Sequence, residues 1–143
     1  PYTTLFRSAG NPCASESPST STASTGSADA SCWQQQRTTT QLAGTAVNAD
    51  ILCYERATEG GQDIMLHTYC KSQGRDHLTL AVSHDEGLTW SDLMTIQEGP
   101  AAYSTMVSLP GGDVAILYED GAYDAGNGYA INFVTIAREQ IVK

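Results

Sequence analysis

The chain has few basic residues and no long apolar run. Its 143 residues include 7 Lys+Arg against 16 Asp+Glu, a formal net charge of -9. This balance argues against a surface that follows a nucleic-acid backbone, although one arginine can still meet an anionic ligand in an acidic protein. No run of about 18 apolar residues occurs, so we expect no transmembrane helix. No basic stretch followed by an apolar one opens the chain, so no signal peptide is recognised.

The cysteines and histidines lack the spacing of a metal site. The four cysteines are Cys13, Cys32, Cys53 and Cys70, and the three histidines are His67, His77 and His84. No Cys-x-x-Cys pair occurs, so we expect neither a zinc site nor any cofactor. Cys53 and Cys70 lie in apolar, strand-like runs, which favours buried free thiols. A disulfide between the two on neighbouring strands stays open as the alternative.

Residues 1–46 lack the apolar pattern of a packed element. The first eight, Pro-Tyr-Thr-Thr-Leu-Phe-Arg-Ser, resemble one reading frame of a common sequencing-library adapter, which predicts that this start is an artefact. Residues 15–31 are dominated by Ser and Thr and bury too little surface to offset their ordering entropy. A disordered or glycosylated linker and a frameshifted stretch of former strands are the two interpretations, and the second is favoured.

Residues 47–143 predict an antiparallel all-β structure of short strands. About seven strand candidates recur every 8–12 residues or so, with turn residues between them, as in a sandwich, barrel or propeller. The candidates are residues 50–57, 63–70, 77–82, 93–97, 103–109, 114–119 and 129–136. Gly99-Pro100 is predicted to end the fourth. Since a four-stranded blade needs about 40–50 residues, this part supplies roughly two blades, which leaves sheet edges unpaired.

One motif, Ser83-x-Asp85-x-Gly87-x-Thr89-Trp90, is a full match to the Asp-box. In a tight hairpin, the aspartate accepts hydrogen bonds from turn amides and the glycine takes a positive φ. The tryptophan packs between adjacent strands as an apolar plug. We therefore interpret all five residues as structural. The motif predicts a propeller, but it does not specify one activity.

Several spaced motifs surround this box. Arg75 lies eight residues before Ser83, and Tyr103-Ser-Thr-Met-x-x-Leu-Pro-Gly-Gly follows the box. Ile-Leu-Tyr-Glu119-Asp-Gly comes next, and Tyr129-x-Ile-x-Phe closes the series. Over about residues 63–137 this order resembles the C-terminal end of the exo-α-sialidases (neuraminidases), which are six-bladed propeller enzymes. The resemblance implies that the chain forms roughly the last two blades of a six-bladed β-propeller.

The resemblance also implies roles for three residues. Arg75 matches the third arginine of the triad that binds the substrate carboxylate, and guanidinium suits a carboxylate because it offers two parallel hydrogen bonds. Tyr103 matches the nucleophile, and a neutral phenol avoids the repulsion that a carboxylate nucleophile would meet from the substrate's own carboxylate. Glu119 matches the acid that pairs with the first triad arginine. Without the resemblance, a surface arginine, a packed strand tyrosine and a solvated carboxylate are the alternatives.

Other parts of the family pattern are missing. We find no Phe-Arg-Ile-Pro-like motif with the first arginine, no convincing second arginine, no acid/base aspartate and no general-base glutamate. The resemblance implies a secreted, periplasmic or cell-surface full-length enzyme that removes terminal α-linked sialic acid from glycoproteins, glycolipids or oligosaccharides by a retaining mechanism. The chain alone is expected to be inactive. A trans-sialidase, or a non-catalytic Asp-box propeller that binds glycan or protein, is the alternative.

Overall fold

The computed structural model describes residues 2–6, 35–39, 41–57, 61–124, 126 and 128–142. The chain divides into two units, residues 1–40 and 41–143. In the first unit, β1 (Tyr2–Phe6) and β2 (Gln35–Thr39) form an antiparallel pair. No strand was expected here from hydrophobic periodicity, but both segments contain threonines, which favour extended backbone. The Ser/Thr-rich residues 15–31, with Cys13 and Cys32, lie outside the described residues, and the interpretation of residues 1–46 as an artefact stays a prediction.

The second unit is one antiparallel sheet of six strands in sequence order. The strands are β3 (Ile51–Glu55), β4 (Ile64–Cys70), β5 (Asp76–Ser83), β6 (Ser91–Ser108), β7 (Val114–Asp124) and β8 (Gly128–Ile136). One helical turn, α1 (Arg138–Ile141), follows the last strand. The predicted all-β antiparallel fold is therefore confirmed. Among the described residues, no helix has the length and apolar character to cross a membrane.

Strand β6 corrects one expectation from the sequence. The predicted break at Gly99-Pro100 is wrong, because β6 continues through it for 18 residues. What changes there is the partner strand. Pro100 is the last residue of β6 that pairs with β5, and Ala101 is the first that pairs with β7. Proline has no N–H for a sheet ladder, so it fits this change of partner. The result is a four-stranded and a three-stranded meander that share β6, which is consistent with consecutive propeller blades.

The core lies between the two meanders. Its buried side chains are Leu66, Leu80, Val82, Met106, Val114, Ile116, Ile136 and Ile141. Apart from Ile141 of α1, they come from alternate positions of the strands, as the period of two in the sequence predicts. Strand β5 is buried on both faces, since even Thr79 is only 1% exposed. The buried hydroxyl of Thr79 donates a hydrogen bond to the carbonyl of His77 (2.9 Å), so it keeps a hydrogen-bond partner.

Cys53 and Cys70 are free thiols, which confirms that part of the expectation, but only Cys70 is buried and Cys53 is half-buried. The Cys70 thiol donates to the Ala101 carbonyl (3.4 Å), and the Cys53 thiol to the Asp63 carboxylate (3.5 Å). Burial raises the pKa of both thiols, which keeps them protonated near neutral pH. Asp63 lies directly before β4, yet it is only 7% exposed. It tolerates burial because the Ala57 amide also donates to it (2.8 Å).

Candidate active site

The Asp-box forms a turn between β5 and β6 that is closed by its own side chains. The Ser83 hydroxyl donates to Asp85 Oδ1 and accepts from the Gly87 amide, both at 2.8 Å. Asp85 also accepts from the Thr89 amide (2.8 Å) and hydroxyl (2.6 Å). Desolvation alone raises the pKa of Asp85, but hydrogen bonds from Thr89, Ser83 and the Leu88 amide together hold the pKa below its usual range. The Asp85 carboxylate therefore accepts these hydrogen bonds from residues of its own turn.

Trp90 connects this turn to the rest of the sheet. Its side chain is 8% exposed, and its indole N–H donates to the Gly87 carbonyl (3.1 Å). Gly87 has φ +82°, a conformation that glycine adopts without strain. The Trp90 ring meets His67 of β4 edge-on, with 5.8 Å between centroids. The Trp90 amide donates to the Gln41 side chain (2.9 Å), so the segment before β3 is held against the box.

A β-bulge lies where β6 joins β7. The flanking register pairs are Ala101 with Asp120 and Ser104 with Tyr118. Ala102 and Tyr103 therefore face Glu119 alone, two residues against one. A bulge leaves a backbone group out of the regular ladder and redirects the side chains beside it. Here the Tyr103 amide donates to Glu119 Oε2 (3.3 Å), and the Tyr103 side chain is turned outward, with the residue 42% exposed.

Arg75 lies over the ring of Tyr103. Its guanidinium carbon is 5.5 Å from the ring centroid, within the range of a cation–π contact. Arg75 Nη1 also donates to the hydroxyl of Tyr129 (3.1 Å), at the start of β8. The hydrogen bond to Tyr129 raises the pKa of Arg75, so the residue is a permanent cation. Its carbonyl accepts from the Ala101 amide (2.8 Å), which fixes its backbone beside the bulge.

The segment before β3 holds β6 just after the bulge. The Asp50 carboxylate accepts from the Met106 amide (2.7 Å) and the Thr105 hydroxyl (3.0 Å). The Ser104 amide donates to the Asn48 carbonyl (3.3 Å). These contacts occupy the edge of β6 that does not pair with β7. They fix the strand that carries Tyr103, and no sequence motif pointed to Asp50 or Asn48.

An open cleft of about 240 Å³ adjoins Tyr103 and Glu119. Its lining residues are Asn48, Tyr103, Ser104, Thr105, Leu117, Tyr118, Glu119 and Ile131. Leu117 and Ile131 form an apolar wall, and both are well exposed, at 43% and 58%. The cleft therefore offers a hydroxyl, a carboxylate and an apolar surface to a small ligand, with the Arg75 cation above the Tyr103 ring.

The structure brings Arg75, Tyr103 and Glu119 together, although their roles stay predictions. Among the arginine side chains that the structure describes, Arg138 binds Glu55 (3.0 Å), whereas Arg75 lies over the ring of Tyr103, which lines the cleft. Within the described part of the chain, no group of three His, Cys, Asp or Glu side chains is placed to hold a metal ion.

Tyr129 was missed as a site residue. The Tyr129-x-Ile-x-Phe pattern predicted a strand with one face, and it carried no information on a contact 54 residues away in sequence. Tyr69 and Tyr118 are packed strand residues, at 5% and 9% exposed. Exposure therefore separates Tyr103 from these two tyrosines.

Comparisons with known proteins agree with this architecture. The BNR repeat-like domain matches residues 2–116, a range that includes much of the segment suspected to be an artefact. A sialidase of Micromonospora viridifaciens is 37% identical over 59 residues, which are 41% of this chain and 9% of the relative. The crystal structure of the intramolecular trans-sialidase from Ruminococcus gnavus in complex with oseltamivir carboxylate superposes with a TM-score of 0.53 at 16% identity.

That superposition covers 76% of this chain and 26% of the Ruminococcus gnavus protein. At this identity it shows the fold alone. The chain thus spans less than a tenth of its curated relative and about a quarter of the solved one. With a family match over most of its length, a complete Asp-box and the two-meander sheet, the chain belongs to the BNR repeat-like domain family.

Proposed function

We propose that this chain contributes part of the active site of a retaining exo-α-sialidase, which removes terminal α-linked sialic acid from glycoproteins, glycolipids and oligosaccharides. The observation that carries the proposal is that Tyr103 and Glu119, which line one cleft, are joined by a hydrogen bond, and that Arg75 lies over the Tyr103 ring. An exposed cation beside an exposed phenol suits a sugar that carries a carboxylate on its anomeric carbon. The similarity to sialidases supports the same substrate class.

Arg75 binds the carboxylate of the sugar in this proposal. Its guanidinium has five N–H donors, one of which is used on Tyr129. The others suffice for two parallel bonds to a carboxylate, which are charge-assisted and therefore stronger than neutral ones. Because Arg75 lies over the Tyr103 ring, a carboxylate bound there brings the anomeric carbon toward the tyrosine side chain. This proximity is what a nucleophilic step needs.

Tyr103 is the proposed nucleophile. Its hydroxyl oxygen forms a bond to the anomeric carbon while the bond from that carbon to the glycosidic oxygen breaks. A base takes the phenol proton, an acid protonates the leaving oxygen, and water then releases sialic acid from the tyrosine. Among the residues described around the cleft, no second carboxylate approaches this step beside Glu119. We therefore propose that the base and the acid lie in earlier blades of the full-length enzyme.

Glu119 has two parts in the proposal. It accepts the Tyr103 amide in the bulge and so holds the nucleophile's backbone. Its carboxylate is also proposed to pair with the first arginine of the carboxylate triad. This proposal is supported by the position of Glu119 in β7, opposite the bulge that carries Tyr103.

The test uses the 143-residue chain and a full-length enzyme that contains it. We expect the chain to release no product from a fluorogenic sialoside and the full-length enzyme to hydrolyse it. Tyr103→Phe in the enzyme removes the nucleophilic oxygen and should abolish turnover with the fold intact by circular dichroism. Tyr54→Phe is the matched control, because its hydroxyl bonds the Gly112 carbonyl away from the cleft. Unchanged turnover in Tyr103→Phe would refute the assignment.

The second candidate is a non-catalytic module that binds sialylated glycans. It is favoured by one observation, that among the residues described around the cleft Glu119 is the only carboxylate that could act as an acid or a base. Both candidates bind sialosides, so binding alone does not separate them. The discriminating measurement follows the bound sialoside over time in the full-length protein. A binding module returns it intact, whereas the enzyme releases free sialic acid.

A further inference from the structure

Tyr129 connects β8 to the cleft. It follows Gly128, which has φ +76° and ends the loop between β7 and β8. In this region the regular pairing of β7 with β8 is interrupted between Asp120 and Asp124. The interruption lets the strand leave the ladder, and the Tyr129 hydroxyl reaches Arg75 Nη1 at 3.1 Å. The contact joins two elements that do not pair with each other in the sheet.

An exposed arginine does not hold one conformation without help. Its side chain has several rotatable bonds, and ordering it costs conformational entropy. The Arg75 guanidinium is nevertheless held at two points, by the hydroxyl of Tyr129 and by the ring of Tyr103. The bond from the Ala101 amide to the Arg75 carbonyl fixes the backbone as well. The guanidinium is therefore placed before any ligand arrives.

We propose that Tyr129 is a positioning residue, which holds the guanidinium of Arg75 against the ring of Tyr103 for an incoming carboxylate. The carboxylate part rests on the proposed function. A phenol suits this role because it is neutral. An aspartate or glutamate in its place would pair with the guanidinium and weaken its attraction for an anionic ligand. The Tyr129 hydroxyl orients Arg75 and leaves its charge uncompensated.

The first experiment needs no ligand. In the full chain, the Arg75 side-chain NMR resonances are expected to carry a ring-current shift from Tyr103, assigned by its loss in Tyr103→Leu. Tyr129→Phe removes one hydroxyl and keeps the ring, and it should move these resonances toward the values of an unconstrained arginine. Tyr54→Phe, which loses a different phenol bond, should leave them in place. Arg75 resonances that are unchanged in Tyr129→Phe would overturn the proposal.

A second variant tests the contact between Tyr129 and Arg75 by changing the arginine instead of the tyrosine. Arg75→Ala alters a residue outside the core, so the fold is preserved even if Tyr129→Phe were to unfold the chain. We expect the ring resonances of Tyr129 to shift in Arg75→Ala, because its hydroxyl loses a donor. Ring resonances of Tyr129 that stay at their wild-type positions would count against the contact and against the role.

The ligand experiment uses sialic acid and its methyl ester, which lacks the carboxylate charge. Tyr129→Phe should weaken binding of the acid by about 3- to 10-fold, as expected for the loss of one typical hydrogen bond, and leave binding of the ester unchanged. An equal loss for both probes would point to a merely structural role and overturn the proposal. If a full-length enzyme that contains this chain binds neither probe while Arg75 still depends on Tyr129, the sialidase function fails and the positioning role stands.

Discussion

The backbone amide of Tyr103 donates a hydrogen bond to the carboxylate of Glu119 across the bulge between β6 and β7, over 3.3 Å. The two residues are 16 positions apart and lie on different strands. Their contact compensates an amide that the bulge removes from the sheet ladder. The same irregularity turns the ring of Tyr103 outward, to where Arg75 covers it. The bulge therefore links the backbone hydrogen bond of Tyr103 to the position of its side chain beside Arg75.

Replacement of Glu119 tests this link. We expect Glu119→Ala to lower the free energy of unfolding by about 0.5–1.5 kcal/mol, because the Tyr103 amide loses its acceptor. Glu119→Gln keeps an oxygen of similar reach and should stay close to wild type. Urea unfolding of both variants provides the measurement. If Glu119→Ala unfolds at the wild-type midpoint, the hydrogen bond from the Tyr103 amide to Glu119 does not contribute to stability.

Arg75→Lys separates charge from geometry at the cleft. Lysine keeps the positive charge but has no planar fork for two parallel bonds. We expect it to bind sialic acid about 10-fold more weakly, equivalent to roughly 1.4 kcal/mol, and to bind the methyl ester as the wild type does. Titration followed by NMR gives both dissociation constants. Equal affinity of Arg75→Lys and wild type for the acid would show that no bidentate contact forms.

The Asp-box predicts a pH dependence of stability. The pKa of Asp85 is lower in the fold than in the unfolded chain, so its contribution is present above the unfolded pKa and is lost as pH falls through the folded one. Asp85→Asn should be less stable than wild type at pH 7, and the gap should narrow on acidification. His84→Ala, at an exposed neighbour, is the control. A gap between Asp85→Asn and wild type that stays constant from pH 7 to acid would contradict this account.

Core packing gives a prediction that is independent of function. Leu80 is fully buried in the main cluster, whereas Leu88 in the Asp-box turn is 54% exposed. Leu80→Ala should cost about 2–5 kcal/mol of unfolding free energy because a cavity forms. Leu88→Ala should change it by less than about 0.5 kcal/mol. If thermal or urea unfolding shows a similar loss of unfolding free energy for Leu80→Ala and Leu88→Ala, the sheet is not packed as described.

Local patterns in the sequence were sufficient for strands such as β4 and β5 and for the Asp-box. Strands β4 and β5 alternate with a period of two, and the box encodes its turn within eight residues, so both depend on neighbours along the chain. Motif order pointed to Arg75, Tyr103 and Glu119 before any contact was known. Their roles stay predictions that the experiments above address.

The tertiary structure decided what depends on distant residues. The continuity of β6 through Pro100 follows from a change of partner strand, which no local pattern encodes. The burial of Asp63 depends on donors that the turn and β3 bring to it. The contact of Tyr129 with Arg75 forms only because the register of β7 and β8 is interrupted. Composition and spacing therefore determined which elements form, and long-range pairing decided which side chains meet, since register is set by the whole sheet.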